Sequence, residues 1–390
     1  MAKPPAKPPI WNDPRYRALF FQVLVLATVI GGGVFLVNNT LENLARQGIA
    51  SGFDFLGRTA GFSISMHLIE YAEEHTYFRA FLVGLLNTLL VAGIGVVLAT
   101  IIGFIVGIAR LSKNWLIAQL AAVYIETLRN IPLLLQLFFW YFGVLRNLPG
   151  PRNSVALFDS FFLNNRGLSS PSPIFEPGFM AIVIAVAIAI IAIIFLARWA
   201  RKRQEETGKQ FHTFYVSVAI LIGLPFIAAV VTGFPLSWDY PVLKGFNFQG
   251  GMVLIPEFVS LLLALSIYTA AFIAEIVRAG ILAVSHGQTE AAYALGLKPG
   301  LTLRLVVVPQ ALRVIIPPLT SQYLNLTKNS SLAAAIAYPD LVLVFAGTVL
   351  MQTGQAVEII GITMAVYLTI SLLISAFMNW YNKKMALVER

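Results

Sequence analysis

FLVGLLNTLLVAGIGVVLATIIGFIVGIA, residues 81–109, contains no acidic or basic side chain and no proline. A bilayer core takes about 20 apolar residues as helix, so this run crosses a membrane with length to spare. Seven further runs of the same character lie near 18–37, 115–145, 178–197, 213–232, 253–284, 303–325 and 357–381. The run near 18–37 is too long for the apolar part of a signal peptide, and no A-x-A site closes it, so it reads as an uncleaved span. The pattern predicts an all-α polytopic membrane bundle of about eight transmembrane helices. Within 81–109, small residues recur four apart at Gly95, Ala99, Gly103 and Gly107. That spacing lines one helix face and lets another helix approach closely, within this chain or from a partner.

Composition supports this reading. Of 390 residues, 58% are hydrophobic and 12% are charged, about half the charged share of a soluble domain. A water-soluble enzyme, a disordered tail and a disulfide scaffold are thereby excluded. Cysteine is absent, and four scattered histidines do not suggest a metal site. The net charge of +9 sits in short loops between apolar runs, which fits anionic lipid as the partner and not nucleic acid. With the N-terminus inside, seventeen Lys and Arg fall on cytoplasmic segments and eight on outer ones, RWARKR at 198–203 being the densest cluster. This bias predicts both termini in the cytoplasm.

Four segments follow. Residues 1–80 hold a proline-rich basic head (KPPAKPPIWNDPRYR, 3–17), whose prolines should prevent a helix, then the first span and an outer stretch expected to lie along the membrane surface. Residues 81–149 and 252–390 hold most of the remaining spans. Residues 150–251 carry two further spans between Pro-, Gly- and Ser-rich stretches, 147–177 and 233–252, that read as loops. No phosphate-binding G-x-x-x-x-G-K-[ST] loop, H-E-x-x-H motif or nucleophile with an acid–base partner is present.

Between the sixth and seventh spans lies SHGQTEAAYALGLKPGLTLRLVVVPQALR, residues 285–313. It has helix-compatible blocks at 288–296 and 301–306 with a break at Lys298-Pro299-Gly300. Glu290-Ala291-Ala292, then Gly296, then Val306-Val307-Val308-Pro309, resembles the EAA loop of ABC-importer permeases, with Val at both aliphatic positions of the usual I-x-L-P. Glu126-Thr127-Leu128-Arg129 with Pro132–Phe139 and Tyr141-Phe142-Gly143 is similar to the polar amino-acid branch of that family. So are Ala274–Gly280, Pro309–Arg313 and Pro317-Pro318-Leu319. The likeness covers about 81–149 and 252–383. The extra first span, the 150–251 insertion, and Asn130-Ile131 in place of the usual Gly-Thr resemble the larger subunits of general L-amino-acid transporters.

The resemblance implies a non-enzymatic permease subunit of the bacterial inner membrane, importing polar L-amino acids from the periplasm. It implies a second, related permease chain, ATPase subunits holding ATP and Mg, and a periplasmic binding protein, with no cofactor on this chain. The loop 285–309 would meet the ATPase. There Glu290 would cap or ion-pair, Ala291 and Ala292 would keep the contact face small, Gly296 would permit the turn or a close approach, and Pro309 is the proline that ends the motif. A gradient-driven secondary transporter and an assembly protein without a pathway are the rival readings, and neither needs an ATPase-docking loop.

Ionisable groups inside spans are costly and are functional hypotheses by default. Glu126 and Arg129 stand three apart on one helix face, either as an internal ion pair or as pathway groups for a carboxylate or an amine. Pro132 removes a backbone donor and exposes the carbonyl near Leu128. Asn130 stands beside them. Asn87 and Thr88 bond between helices or face the pathway, and Ser266, Tyr268 and Thr269 pack or line it. Asn325, Lys328 and Asn329 end the seventh span on the outer side, where cargo would enter or where a helix end is solvated.

Overall fold

The computed structural model describes residues 14–46 and 51–385. The expectations for the remainder of the head (1–13) and for the last residues (386–390), including the sides on which the termini lie, fall outside the described residues.

Helix α1 (Pro14–Arg46) is followed by a 3-10 turn (Asp54–Gly57), α2 (Tyr77–Ala109), α3 (Trp115–Asn130) and α4 (Leu133–Phe138), which runs into a π-helix (Phe139–Val144). Short strands β1 (Val155–Leu157), β2 (Phe161–Asn164), β3 (Gly167–Ser170) and β4 (Ser172–Phe175) precede α5 (Phe179–Thr207) and α6 (Thr213–Val231). Strands β5 (Leu236–Asp239), β6 (Val242–Lys244), β7 (Asn247–Gln249) and β8 (Met252–Leu254) lead to α7 (Pro256–Leu282), α8 (His286–Ala294) and α9 (Pro299–Thr302). A π-turn (Leu303–Val307) joins α9 to α10 (Val308–Asn329). A 3-10 segment (Ser330–Ile336), a π-helix (Val342–Val349), α11 (Leu350–Thr353) and α12 (Ala356–Met385) complete the chain. Among the described residues, seven helices are long and apolar enough to cross a membrane, or eight if a bent pair counts as one span. The fold is a helical membrane bundle, as expected.

Three local expectations are corrected. The run 115–145 is not one straight span: α3 and the following helix meet at a 106° bend around Pro132, which cannot donate into the helix. Residues 14–17 of the head are helical, because proline at a first helical position has no hydrogen bond to lose. The stretches 147–177 and 233–252 are not plain loops; they supply strands to three small antiparallel sheets, in the orders β1-β2-β3-β8, β4-β5 and β6-β7.

Of the described residues, those up to Glu126 together with Thr269–Met385 form one compact unit, and Thr127–Tyr268 a second. In the first, the small face of α2 packs on α7: a Cβ at Gly103 would stand 2.6 Å from Ile273 Cβ, and one at Gly107 2.6 Å from the Ala274 carbonyl oxygen. The stripe therefore makes a contact within the chain. A second cluster joins Phe55, Ala60, Ile64, Tyr71, Val83, Leu341, Phe345 and Ile359, with the Phe55 and Phe345 rings stacked at 6.2 Å. Residues 51–76 thus fold onto the bundle, and a Thr59–Thr76 bridge closes their loop. Tyr71 donates to the Phe62 carbonyl at 3.0 Å, and burial, ahead of nearby Glu73, pushes its phenol up to about 12. In the second unit α5 and α6 pack on each other, and α6 buries none of its residues. A helix apolar on all sides and unburied in its own chain suits lipid or another subunit.

Candidate functional site

The arm 285–309 is built by its end signals. In α8, Glu290 Oε1 stands 3.0 Å from His286 Nδ1, one turn earlier. Ala291 is exposed and Ala292 is buried. Gly296 ends the helix with φ +78°, in the left-handed region. Its N–H donates to the Tyr293 carbonyl at 2.9 Å, and the Leu297 N–H donates to the Ala292 carbonyl at 3.1 Å. This reciprocal pair is the Schellman closure, which favours glycine at the left-handed position. The break falls at 295–298, slightly earlier than expected, and Pro299 opens the next helix instead of sitting inside the break. That second block is no separate element. It runs through the π-turn into α10, where Pro309 occupies the first turn and needs no helical donor. The side chains of Tyr293 (48% exposed) and Leu295 (82%) are presented outward. At the end of α7, Arg278 grips Glu275 with two hydrogen bonds, at 2.9 and 2.6 Å.

The polar residues of the spans separate by what they bind. Asn87 is fully buried, and its Nδ2 donates to the carbonyls of Met66 and Pro339, both at 2.8 Å. Thr88 donates to the Gly84 carbonyl and accepts from Leu341 N–H, both at 3.0 Å. These two residues hold α2 to the segment following the 3-10 helix. Ser266 and Thr269 are buried on α7, with Tyr268 half-buried between them. Glu126, Arg129 and Asn130 are exposed at the end of α3, and each has a bonding or electrostatic partner. Asn325 and Lys328 are exposed at the end of α10, and Asn329 is half-buried. Lys328 borders a cavity of about 450 Å³, with Ser331, Thr363, Tyr367 and Ser371 also on its wall. Of the sequence-derived candidates, Lys328 alone borders this cavity.

Two residues escaped the sequence reading. Gln136 is buried, and its Nε2 donates to the carbonyls of Leu128 and Ile131, both at 2.9 Å. It answers the carbonyl that Pro132 leaves without a helical donor, and its place one turn beyond that proline was the available signal. Asp340 is fully buried and caps the π-helix by accepting Leu343 N–H at 2.8 Å. The sequence signal was an Asp after Tyr338-Pro339, just before an apolar run.

Spanning helices, buried polar ties between them and a protruding helical arm define a membrane permease subunit of the ABC-importer kind. The chain belongs to the binding-protein-dependent transport system inner membrane components, a family whose pattern matches residues 208–387, and within it to the amino-acid ABC-transporter permeases. It is 60% identical over 378 residues to the general L-amino acid transport system permease protein AapQ of Rhizobium johnstonii, covering 97% of this chain and 94% of that one. It is 58% identical over 378 residues to the putative amino-acid ABC transporter permease protein YhdX of Escherichia coli, covering 97% and 96%. Identity to the glutamate/glutamine/aspartate/asparagine transport system permease protein BztB of Rhodobacter capsulatus is 45% over 409 residues, covering 97% and 96%.

Proposed function

We propose that this permease subunit moves polar L-amino acids from periplasm to cytoplasm, in the inner membrane of a bacterium, with both termini inside. A second, related permease chain completes the pathway. A periplasmic binding protein delivers the amino acid, and separate ATPase subunits bind ATP with Mg and supply the work. The candidate pathway comprises Asn87, Thr88, Glu126, Arg129, Asn130, Ser266, Tyr268, Thr269, Asn325, Lys328 and Asn329. The observation carrying the coupling is the arm itself: α8 is closed by Gly296, presents Tyr293 and Leu295 outward, and continues through Pro299 into the spanning helix α10. A push on α8 by a soluble partner is thereby transmitted to a membrane helix.

The test is reconstitution of the complete importer in vesicles. Gly296→Leu places a branched side chain at φ +78° in open space, so it strains the closure without creating a clash. Substrate-stimulated ATP hydrolysis and uptake should both fall while insertion persists, and Gly296→Asn, which tolerates the left-handed region, should recover most of both. Undiminished stimulated hydrolysis in Gly296→Leu would sink the coupling assignment.

A further inference from the structure

Helix α6 has 19 residues, about 28 Å at about 1.5 Å per residue, and the uncharged part of α5, Phe179–Ala197, has as many. Each matches a hydrocarbon core of about 30 Å. A Cβ at Gly178 would stand 3.3 Å from Thr232 Cβ, so α5 begins at the level where α6 stops. Only three residues separate β4 from α5 and four separate α6 from β5, so the β4–β5 ribbon springs from that level. It is tied there by the Glu176 N–H, which donates to the Pro235 carbonyl at 3.2 Å. Paired residues of a ribbon share a face, and successive residues alternate. Pro173 opposite Trp238 and Phe175 opposite Leu236 make one face; Ser172 opposite Asp239 and Ile174 opposite Ser237 make the other. All four residues of the first face are apolar and exposed. On the second, Ser172, Ser237 and Asp239 are half-buried, and Asp239 Oδ2 accepts the Gly251 N–H at 2.8 Å. The chain thus uses the polar face and leaves the apolar one bare. Aromatic contacts carry the bare surface onto the spans. The rings of Phe175 and Phe179 of α5 lie 4.4 Å apart, and those of Phe234 and Phe226 of α6 lie 6.2 Å apart. Phe234 holds its place at φ +55°, a conformation that costs a bulky residue energy.

We propose that the apolar face of the β4–β5 ribbon lies in the headgroup layer of the bilayer, where Phe175 and Trp238 anchor the α5–α6 hairpin at a fixed depth. The lengths agree. Phe175 and Leu236 adjoin the helix ends, and Pro173 and Trp238 lie two residues further, about 7 Å at about 3.4 Å per residue. The headgroup layer is about 5–8 Å thick on each side of the hydrocarbon core. Tryptophan suits that layer, because its ring is apolar and its N–H finds polar partners there. Lipid is favoured over a soluble protein because the face continues a surface made for hydrocarbon: α6 buries none of its residues and α5 only Ala189 and Ala200. The face also carries no charge with which to steer a protein partner. The inference concerns lipid contact alone, so it is independent of the cargo and of the side on which the ribbon lies.

The chain has no cysteine, so single nitroxide labels can be placed in the complete importer in nanodiscs, its other subunits being freed of reactive cysteine. Phe175→Cys and Trp238→Cys report the apolar face, and Ser237→Cys the polar one. Power saturation compares collisions with oxygen, which concentrates in lipid, and with a nickel chelate, which stays in water. Oxygen should dominate at 175 and 238 and the nickel chelate at 237, an inversion between neighbouring residues of one strand. If Phe175→Cys does not assemble, Trp238→Cys decides. Nickel preference on both faces overturns the proposal, and so does oxygen preference on both, which would submerge the whole ribbon. Nickel access at 175 and 238 that vanishes when the binding protein is added would assign the face to that protein. Exclusion of both reagents would assign it to another subunit. Either result overturns lipid as the occupant. An importer that assembles but takes up no amino acid counts against the transport reading and leaves this measurement intact.

Discussion

Gly103 on α2 is the sharpest test of how this bundle is held together. A Cβ there would lie 2.6 Å from both Ile273 Cβ and Ile273 Cγ2, and 3.0 Å from the Ala270 carbonyl oxygen. Carbon atoms rest at about 3.5–4.0 Å, so a single methyl group overlaps its neighbours by about 1 Å. Ile273 is fully buried with Ala270 and Ala274 beside it, so α7 has little room to retreat. Overpacking of this kind costs about 1–3 kcal/mol. A methyl group added at Gly93, on the same helix, would meet nothing within 4 Å, so Gly93→Ala gains helix propensity without a clash. Measured as thermal unfolding of the detergent-solubilised complex, Gly103→Ala should melt a few degrees lower than wild type, and Gly93→Ala at or above it. Equal melting of the two variants would refute close α2–α7 packing as the reason for the small-residue stripe.

Gln136→Leu keeps the side-chain bulk but strands the Leu128 and Ile131 carbonyls; at about 1–3 kcal/mol for each orphaned group, thermal stability should fall, and an unchanged melting temperature would refute the tie. Since the chain has no cysteine, Asn153→Cys and Lys202→Cys give a clean orientation assay: an impermeant thiol reagent applied outside should label position 153 and spare 202, and the reverse would invert the topology. Exchanging Glu126 for Arg together with Arg129 for Glu should leave uptake impaired despite normal assembly if the two meet substrate. Near-normal uptake by the exchanged variant would reduce them to a mutually neutralising pair.

The spans were legible because membrane helices are written in long apolar runs. The arm was legible because Gly296 and Pro299 each impose a specific backbone, one left-handed and one helix-opening. The outer stretch was not, because Phe55, Ile64 and Tyr71 owe their burial to Val83, Phe345 and Ile359, which are distant in sequence. The strands escaped because each has only three or four residues, too few for a period of two to declare itself. The 106° bend was half legible: Pro132 announced lost hydrogen bonding, but a bend needs the freed carbonyls to find another donor, and Gln136 read only as part of a family-like run, with no partner named for it.

Asn87 and Gln136 show what that leaves for transport. Each turns both hydrogen bonds of its amide nitrogen onto backbone carbonyls, and these acceptor-only neighbours fix the orientation of the amide. Each then leaves its amide oxygen buried without a hydrogen-bond partner, as Asp340 leaves one carboxylate oxygen. Among the described residues, the buried side-chain oxygens without a partner are these three, one of Glu358, and the hydroxyls of Ser260, Ser266, Thr302 and Tyr367, which can also donate. Each amide is thus committed at its nitrogen to the backbone, so both residues act first as ties within the chain.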